Sequence, residues 1–94
     1  MEFEFDQVKS NTNKEKHGIS LEEAQALWEE FYVEVPARDI DEPRWMVIGK
    51  IDNRLFACVY TRRGEAVRLI SCRRARDKEV QLYHDYLKEK ISES

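Results

Sequence analysis

Hydrophobic and polar positions change period several times along this chain of 94 residues, and each change marks an element. Glu2 to Phe5 alternates acid and phenylalanine, the period of a half-buried strand, and Asp6 then stands where a helix N-cap would. A weakly apolar helix is expected from about Gln7 to Lys16, with Gly18 placed to end it in a left-handed cap. Ser20 and Glu23 form an S-x-x-E capping box, and Leu21, Ala24, Leu27, Trp28 and Phe31 recur behind it at helical spacing. That stripe predicts a second helix whose apolar face belongs to the core.

From Tyr32 the period shortens to that of strands. Tyr32 to Val35 is strand-like, and Pro36 to Pro43, with two prolines and three acids, predicts a polar connection. Three strands are then expected in quick succession, over Arg44–Ile51, Leu55–Thr61 and Ala66–Arg73. The linkers Asp52-Asn53-Arg54 and Arg62-Arg63-Gly64-Glu65 have the length and the Asn or Gly content of hairpin turns, so neighbours should pair antiparallel. A last helix follows from about Ala75 to Ile91, with Val80, Tyr83, Leu87 and Ile91 on one face. The order β-α-α-β-β-β-β-α predicts an α+β fold, two N-terminal helices and a C-terminal helix packed on an antiparallel sheet. The length fits one domain over residues 1–94.

Composition narrows the function classes. No apolar run approaches the ~18 residues of a membrane span and the N-terminus lacks a signal-peptide core, so the expected location is the cytoplasm, with no membrane partner. Cys58 and Cys72 lie in apolar strand-like runs without a second cysteine or histidine at metal-ligand spacing, and are expected to be buried free thiols. With His17 and His84 as the two histidines, no metal site is expected.

The charge is sorted by position. Met1 to Pro43 holds 12 acidic and 4 basic residues, whereas Arg44 to Arg76 holds 2 acidic and 9 basic, eight of them arginine. A cationic block of net +7 (9 − 2) thus sits inside a chain of net charge −3. Arginine presents a planar fork of donors that matches phosphate, so neighbouring strands that carry several form a surface suited to a nucleic-acid backbone. The same block would also suit solvated strand edges with surface ion pairs.

A set of motifs spans nearly the whole chain. It begins with F-E-F-D, Lys9, Asn13 and Lys16-His17-Gly18-Ile19-Ser20, then Glu22-Glu23-Ala24 and Glu42-Pro43-Arg44-Trp45 leading to Ile48-Gly49. It closes with Arg68-Leu69-Ile70-Ser71-Cys72-Arg73-Arg74-Ala75, Glu79 and Tyr83. In order and spacing this resembles the BrnT toxins of bacterial type II toxin-antitoxin systems. The resemblance implies a RelE-like fold, endoribonuclease activity without cofactor, and neutralisation by a BrnA-like antitoxin with a ribbon-helix-helix DNA-binding domain. Operator DNA would then be reached only through the antitoxin.

Metal-independent cleavage of RNA uses the ribose 2′-hydroxyl against the adjacent phosphorus, so the protein must position the backbone, neutralise charge on the phosphorane and move two protons. Regular alternation along the last strand would put Arg73, Ser71, Leu69 and Val67 on one face, and Arg68, Ile70 and Cys72 on the other. Arg73, where strand gives way to helix, is ranked first as a phosphate clamp, with Arg63 at a hairpin tip as a second contact. Glu79 and Tyr83, at i and i+4 on one helix face, are the candidates for proton transfer. The expected catalytic set is Arg73, Glu79, Tyr83 and Arg63, with Arg68, Arg74, Arg44, Lys16 and His17 as RNA contacts. The competing functions are a non-catalytic nucleic-acid-binding module in a transcriptional regulatory complex, and a protein-interaction domain whose cationic strands dock an acidic segment.

Overall fold

The structure, a computed structural model, describes residues 1–38 and 41–93, so positions 39 and 40 of the expected polar connection lie outside the described residues. The elements are β1 (Glu2–Glu4), α1 (Gln7–His17), α2 (Leu21–Ala24), a 3₁₀ turn (Gln25–Trp28), β2 (Tyr32–Pro36), β3 (Trp45–Ile51), β4 (Arg54–Arg63), β5 (Ala66–Arg74) and α3 (Asp77–Glu93). The strands form one sheet in the order β1-β5-β4-β3-β2, which is the expected α+β class and element order.

Local chemistry accounts for most boundaries. Asp6 caps α1 by accepting from the Lys9 backbone N–H, and Gly18 ends it at φ 75° while its N–H donates to the Lys14 carbonyl. Ser20 and Glu23 make both bonds of the capping box that opens α2. Asp52 and Asn53 both have positive φ, 50° and 65°, between the paired residues Ile51 and Arg54. They make a two-residue turn of the kind that twists with its strands.

Two expectations need correction. The sheet is mixed, because β1 lies parallel to β5, with Glu2 opposite Ala66 and Glu4 opposite Arg68. The second helix is α-helical only over Leu21–Ala24 and then tightens into the 3₁₀ turn. Its key apolar residues recur every three positions, the period of the tighter helix, so Leu21, Ala24 and Leu27 all remain buried. The turn packs closely on β3. A Cβ on Gly49 would stand 3.1 Å from the Leu27 carbonyl oxygen, which explains a glycine in mid-strand.

The sheet has a core on each face. On one, α1 and α2 cover Val47, Phe56, Cys58, Tyr60, Val67, Leu69 and Cys72. Cys58 and Cys72 are directly opposed, buried and free, as expected. On the other face α3 packs over β2 and β3, burying Val33, Ile48, Ala57 and Tyr83 together. Beyond α3, that face is open on its β5 side, where Ser71 is exposed and Arg68 and Val59 are half-buried.

A bulge decides what stands on the open side. Val59 pairs with Ser71 but Tyr60 pairs with Leu69, so Ile70 has no opposite residue. The extra residue reverses the alternation. Val67, Leu69 and Cys72 therefore all enter the α1–α2 core, and Arg68, Ser71 and Arg73, opposite Thr61, Val59 and Ala57, share the other face. The expected separation of Arg68 from Arg73 is thus overturned.

Candidate active site

Arg68, Ser71 and Arg73 stand along one line on β5, and acidic neighbours hold both arginines. Arg68 reaches Glu4 of β1 at 3.4 Å, a contact made possible by the parallel pairing. Arg73 makes a two-pronged bond with Glu79 in the first turn of α3, Nη1 to Oε1 at 2.8 Å and Nη2 to Oε2 at 3.0 Å. Glu79 Oε1 also accepts from the Arg76 backbone N–H at 2.8 Å, so the carboxylate ties the end of β5 to the start of α3. Glu79 is held below the usual carboxylate range, chiefly by the Arg73 bond, against the opposing effect of burial. The Arg73 guanidinium is pushed up by the same bond. At neutral pH the pair is charged on both sides.

The remaining expected residues are dispersed around this line. Arg63, exposed at the β4–β5 turn, approaches Glu42 at 4.0 Å. Arg74 is directed to the opposite face, where its guanidinium stacks 5.8 Å from the Phe56 ring centroid. Arg44 is half-buried just before β3. Lys16 and His17 lie at the C-terminal end of α1 and meet Ser71 across a cleft. Tyr83 shares a helix with Glu79 but points into the α3 core, 4% exposed, with its ring edge-on to Phe31 at 5.4 Å. Burial pushes the Tyr83 hydroxyl up, and the charge of Glu30 adds to this. Its position fits it to seat α3, and so to fix where Glu79 meets Arg73.

Two residues gained weight that the sequence pattern did not give them. Ser71 becomes the centre of the open line only because of the bulge, for which no Gly or Pro gives a signal. An asparagine within a helix most often bonds to backbone close to it in sequence. Instead its side chain accepts from the Cys72 N–H at 3.1 Å and donates to the Cys72 carbonyl at 2.7 Å, as a neighbouring strand would. It also donates to the Ile19 carbonyl at 2.7 Å. Asn13 thus holds α1 against the edge of β5 where pairing with β1 has ended.

The arrangement combines a cationic strand edge, an exposed hydroxyl and a carboxylate beside a helix start. A family model described as the ribonuclease toxin BrnT of type II toxin-antitoxin systems matches residues 5–79. The chain belongs to the BrnT family. The match closes on Glu79, so it takes in the Arg73–Glu79 pair and the bulged strand, while Glu4 and Tyr83 fall outside it. No curated protein matches the chain. Membership of BrnT makes this a ribonuclease toxin of a type II system, and such a system implies an antitoxin partner. Among the described residues no helix is long and apolar enough to cross a membrane.

Proposed function

We propose that this BrnT protein is an endoribonuclease that cleaves RNA by attack of a ribose 2′-hydroxyl on the neighbouring phosphorus, without a metal ion, on the open side of the sheet. The observation that carries this reading is the bulge at Ile70, which gathers Arg68, Ser71 and Arg73 on one accessible line beside Glu79. Arg68 and Arg73 would neutralise charge on the phosphorane, and Ser71 would donate a hydrogen bond to a phosphate oxygen. Arg63 and Arg44 would hold the flanking backbone.

In this mechanism an incoming phosphate competes with Glu79 for the Arg73 fork. As Arg73 turns to the phosphate, the carboxylate loses the partner that depresses its pKa and becomes a stronger base for the 2′-hydroxyl, and the proton it takes passes to the 5′-oxygen as the P–O5′ bond breaks. The antitoxin, a BrnA-like protein with a ribbon-helix-helix domain in this reading, would bind operator DNA itself and silence the toxin by direct contact.

The test is cleavage of a long RNA by purified protein in excess chelator. Products ending in a 2′,3′-cyclic phosphate and a 5′-hydroxyl are expected, and loss of cleavage restored by Mg²⁺ or Mn²⁺ without any change in RNA folding would overturn metal independence. Arg73→Lys keeps the charge but loses the fork, so a clamp should lose about tenfold or more in rate. Wild-type rates in both Arg73→Lys and Arg73→Ala would remove Arg73 from the mechanism.

A further inference from the structure

The arginines of the open line are restrained by acids, but a group of cations beside them is not. Lys9, Thr12, Lys16 and His17 recur along one face of α1, and with Ile70 and Ser71 of β5 they line a cleft of about 250 Å³. Asn13 forms part of the same wall, and its bonds to Cys72 fix the width of the cleft by holding helix to strand. Lys14, one residue from the cleft wall, is turned away and paired with Glu23 at 2.7 Å. Among the described residues neither Lys9 nor Lys16 has a carboxylate within ion-pair distance, in contrast to Arg62, Arg63, Arg68 and Arg73.

Ser71 belongs to both places. It lines the cleft and stands between Arg68 and Arg73 on the open face, so the two surfaces are continuous across the edge of β5. From Ser71 to Arg73 is two residues of strand, about 7 Å, a separation on the scale of neighbouring backbone phosphates. The negative end of the α1 dipole opposes an anion here, but Gly18 already occupies the Lys14 carbonyl and two lysines outweigh what remains.

We propose that the α1–β5 cleft holds a backbone phosphate of the RNA next to the one under attack, with Lys9 and Lys16 supplying the charge and Thr12 and Ser71 the hydroxyl donors. This rests on the reading that the open sheet face receives RNA. The site engages substrate before the arginines do, because its cations have no internal acid to leave. Cleavage would thus require at least one further phosphate on the α1 side of the scissile bond.

Binding can be measured apart from cleavage with a short 2′-O-methyl RNA, which lacks the attacking hydroxyl. Lys9→Ala/Lys16→Ala is expected to weaken binding about tenfold and to flatten the dependence of log K on log salt by roughly 0.7 per lost phosphate contact. Lys88→Ala/Lys90→Ala removes the same charge from α3 and should leave both quantities near wild type. In a titration of the wild-type protein, inorganic phosphate at millimolar concentration should shift the amide resonances of Lys16, His17 and Ser71. Unchanged affinity and slope in the α1 variant, or an equal loss in the α3 variant, would overturn the cleft. Absence of cleavage by wild-type protein with the binding results intact would instead fault the ribonuclease mechanism.

Discussion

Single side chains in this molecule do work that spans the sequence. Asn13 and Cys72 are 59 residues apart, yet the Asn13 amide completes the edge of β5 by pairing with both backbone groups of Cys72. Removing it leaves buried donors and acceptors unmet, so Asn13→Ala should cost about 3 kcal/mol. For a chain of this size that lowers Tm by more than ~10 °C in a thermal melt, and a shift within a degree of wild type would show that water replaces the amide without loss. Asn13→Asp should be worse, since a carboxylate can accept from the Cys72 N–H but would face the carbonyls of Cys72 and Ile19. The Arg73–Glu79 pair gives a second prediction. The folded pKa of Glu79 lies below its ordinary value, so its stabilisation is present above that value and is lost as pH falls through the folded pKa. The difference in stability between wild type and Glu79→Gln should therefore be widest near neutral pH and close as the solution is acidified below about pH 4, where the unfolded chain is already protonated. A gap independent of pH in denaturant titrations would separate the loss from the carboxylate charge.

At the scale of elements, what was legible in the sequence is what short-range chemistry decides. The caps at Asp6, Gly18 and Ser20 and the turn at Asp52-Asn53 set their boundaries through residues a few positions apart. The hairpin order β3-β4-β5 followed from those turns. The parallel partner of β1 did not, because that pairing joins Glu4 to a residue 64 positions away and three residues of alternation do not specify it. The bulge was hidden for a related reason: Ile70 is an ordinary strand residue, and its place outside the ladder is decided by the need to bury Leu69 and Cys72 together. The expected acid-base pair Glu79 and Tyr83 shared a helix face in the sequence, but the axis of α3 brings only Glu79 to β5 while Tyr83 fills the core. Deletion of Ile70 tests the argument. Without it the strand alternates regularly, with Leu69 and Cys72 still in the α1–α2 core and Arg68, Ser71 and Arg73 still on the open face, so the deletion should keep a cooperative unfolding transition, as should Ile70→Ala, which keeps the extra residue. Loss of the cooperative transition in the deletion protein alone would mean that the core depends on the bulge itself and not only on the faces that Leu69 and Cys72 occupy.

Across the whole molecule the sorted charge is folded back on itself. Acids of the N-terminal part meet the arginine block in space, with Glu4 at Arg68, Glu34 near Arg62 and Glu42 near Arg63, the last two at 4.0 Å. Exposed pairs at such distances are weak, so a polyanion can displace them, but they lower the field that a net +7 block would otherwise present. Net attraction is therefore concentrated where cations lack internal acids, along the α1 face of the cleft. An antitoxin that only shielded net charge would have little to cancel, since the chain as a whole is at −3. Efficient silencing calls for occupation of the open face itself, with acidic groups set among apolar anchors that can seat beside Val59 and Ile70. Hydrogen exchange on the toxin alone and in its antitoxin complex measures this directly. Protection is expected on β5 and on the C-terminal half of α1. Protection restricted to the acidic stretch from Leu21 to Glu30 would place the antitoxin on the opposite face and require inhibition to pass through the Asn13–Cys72 contact, a route in which Asn13→Ala would uncouple binding from silencing.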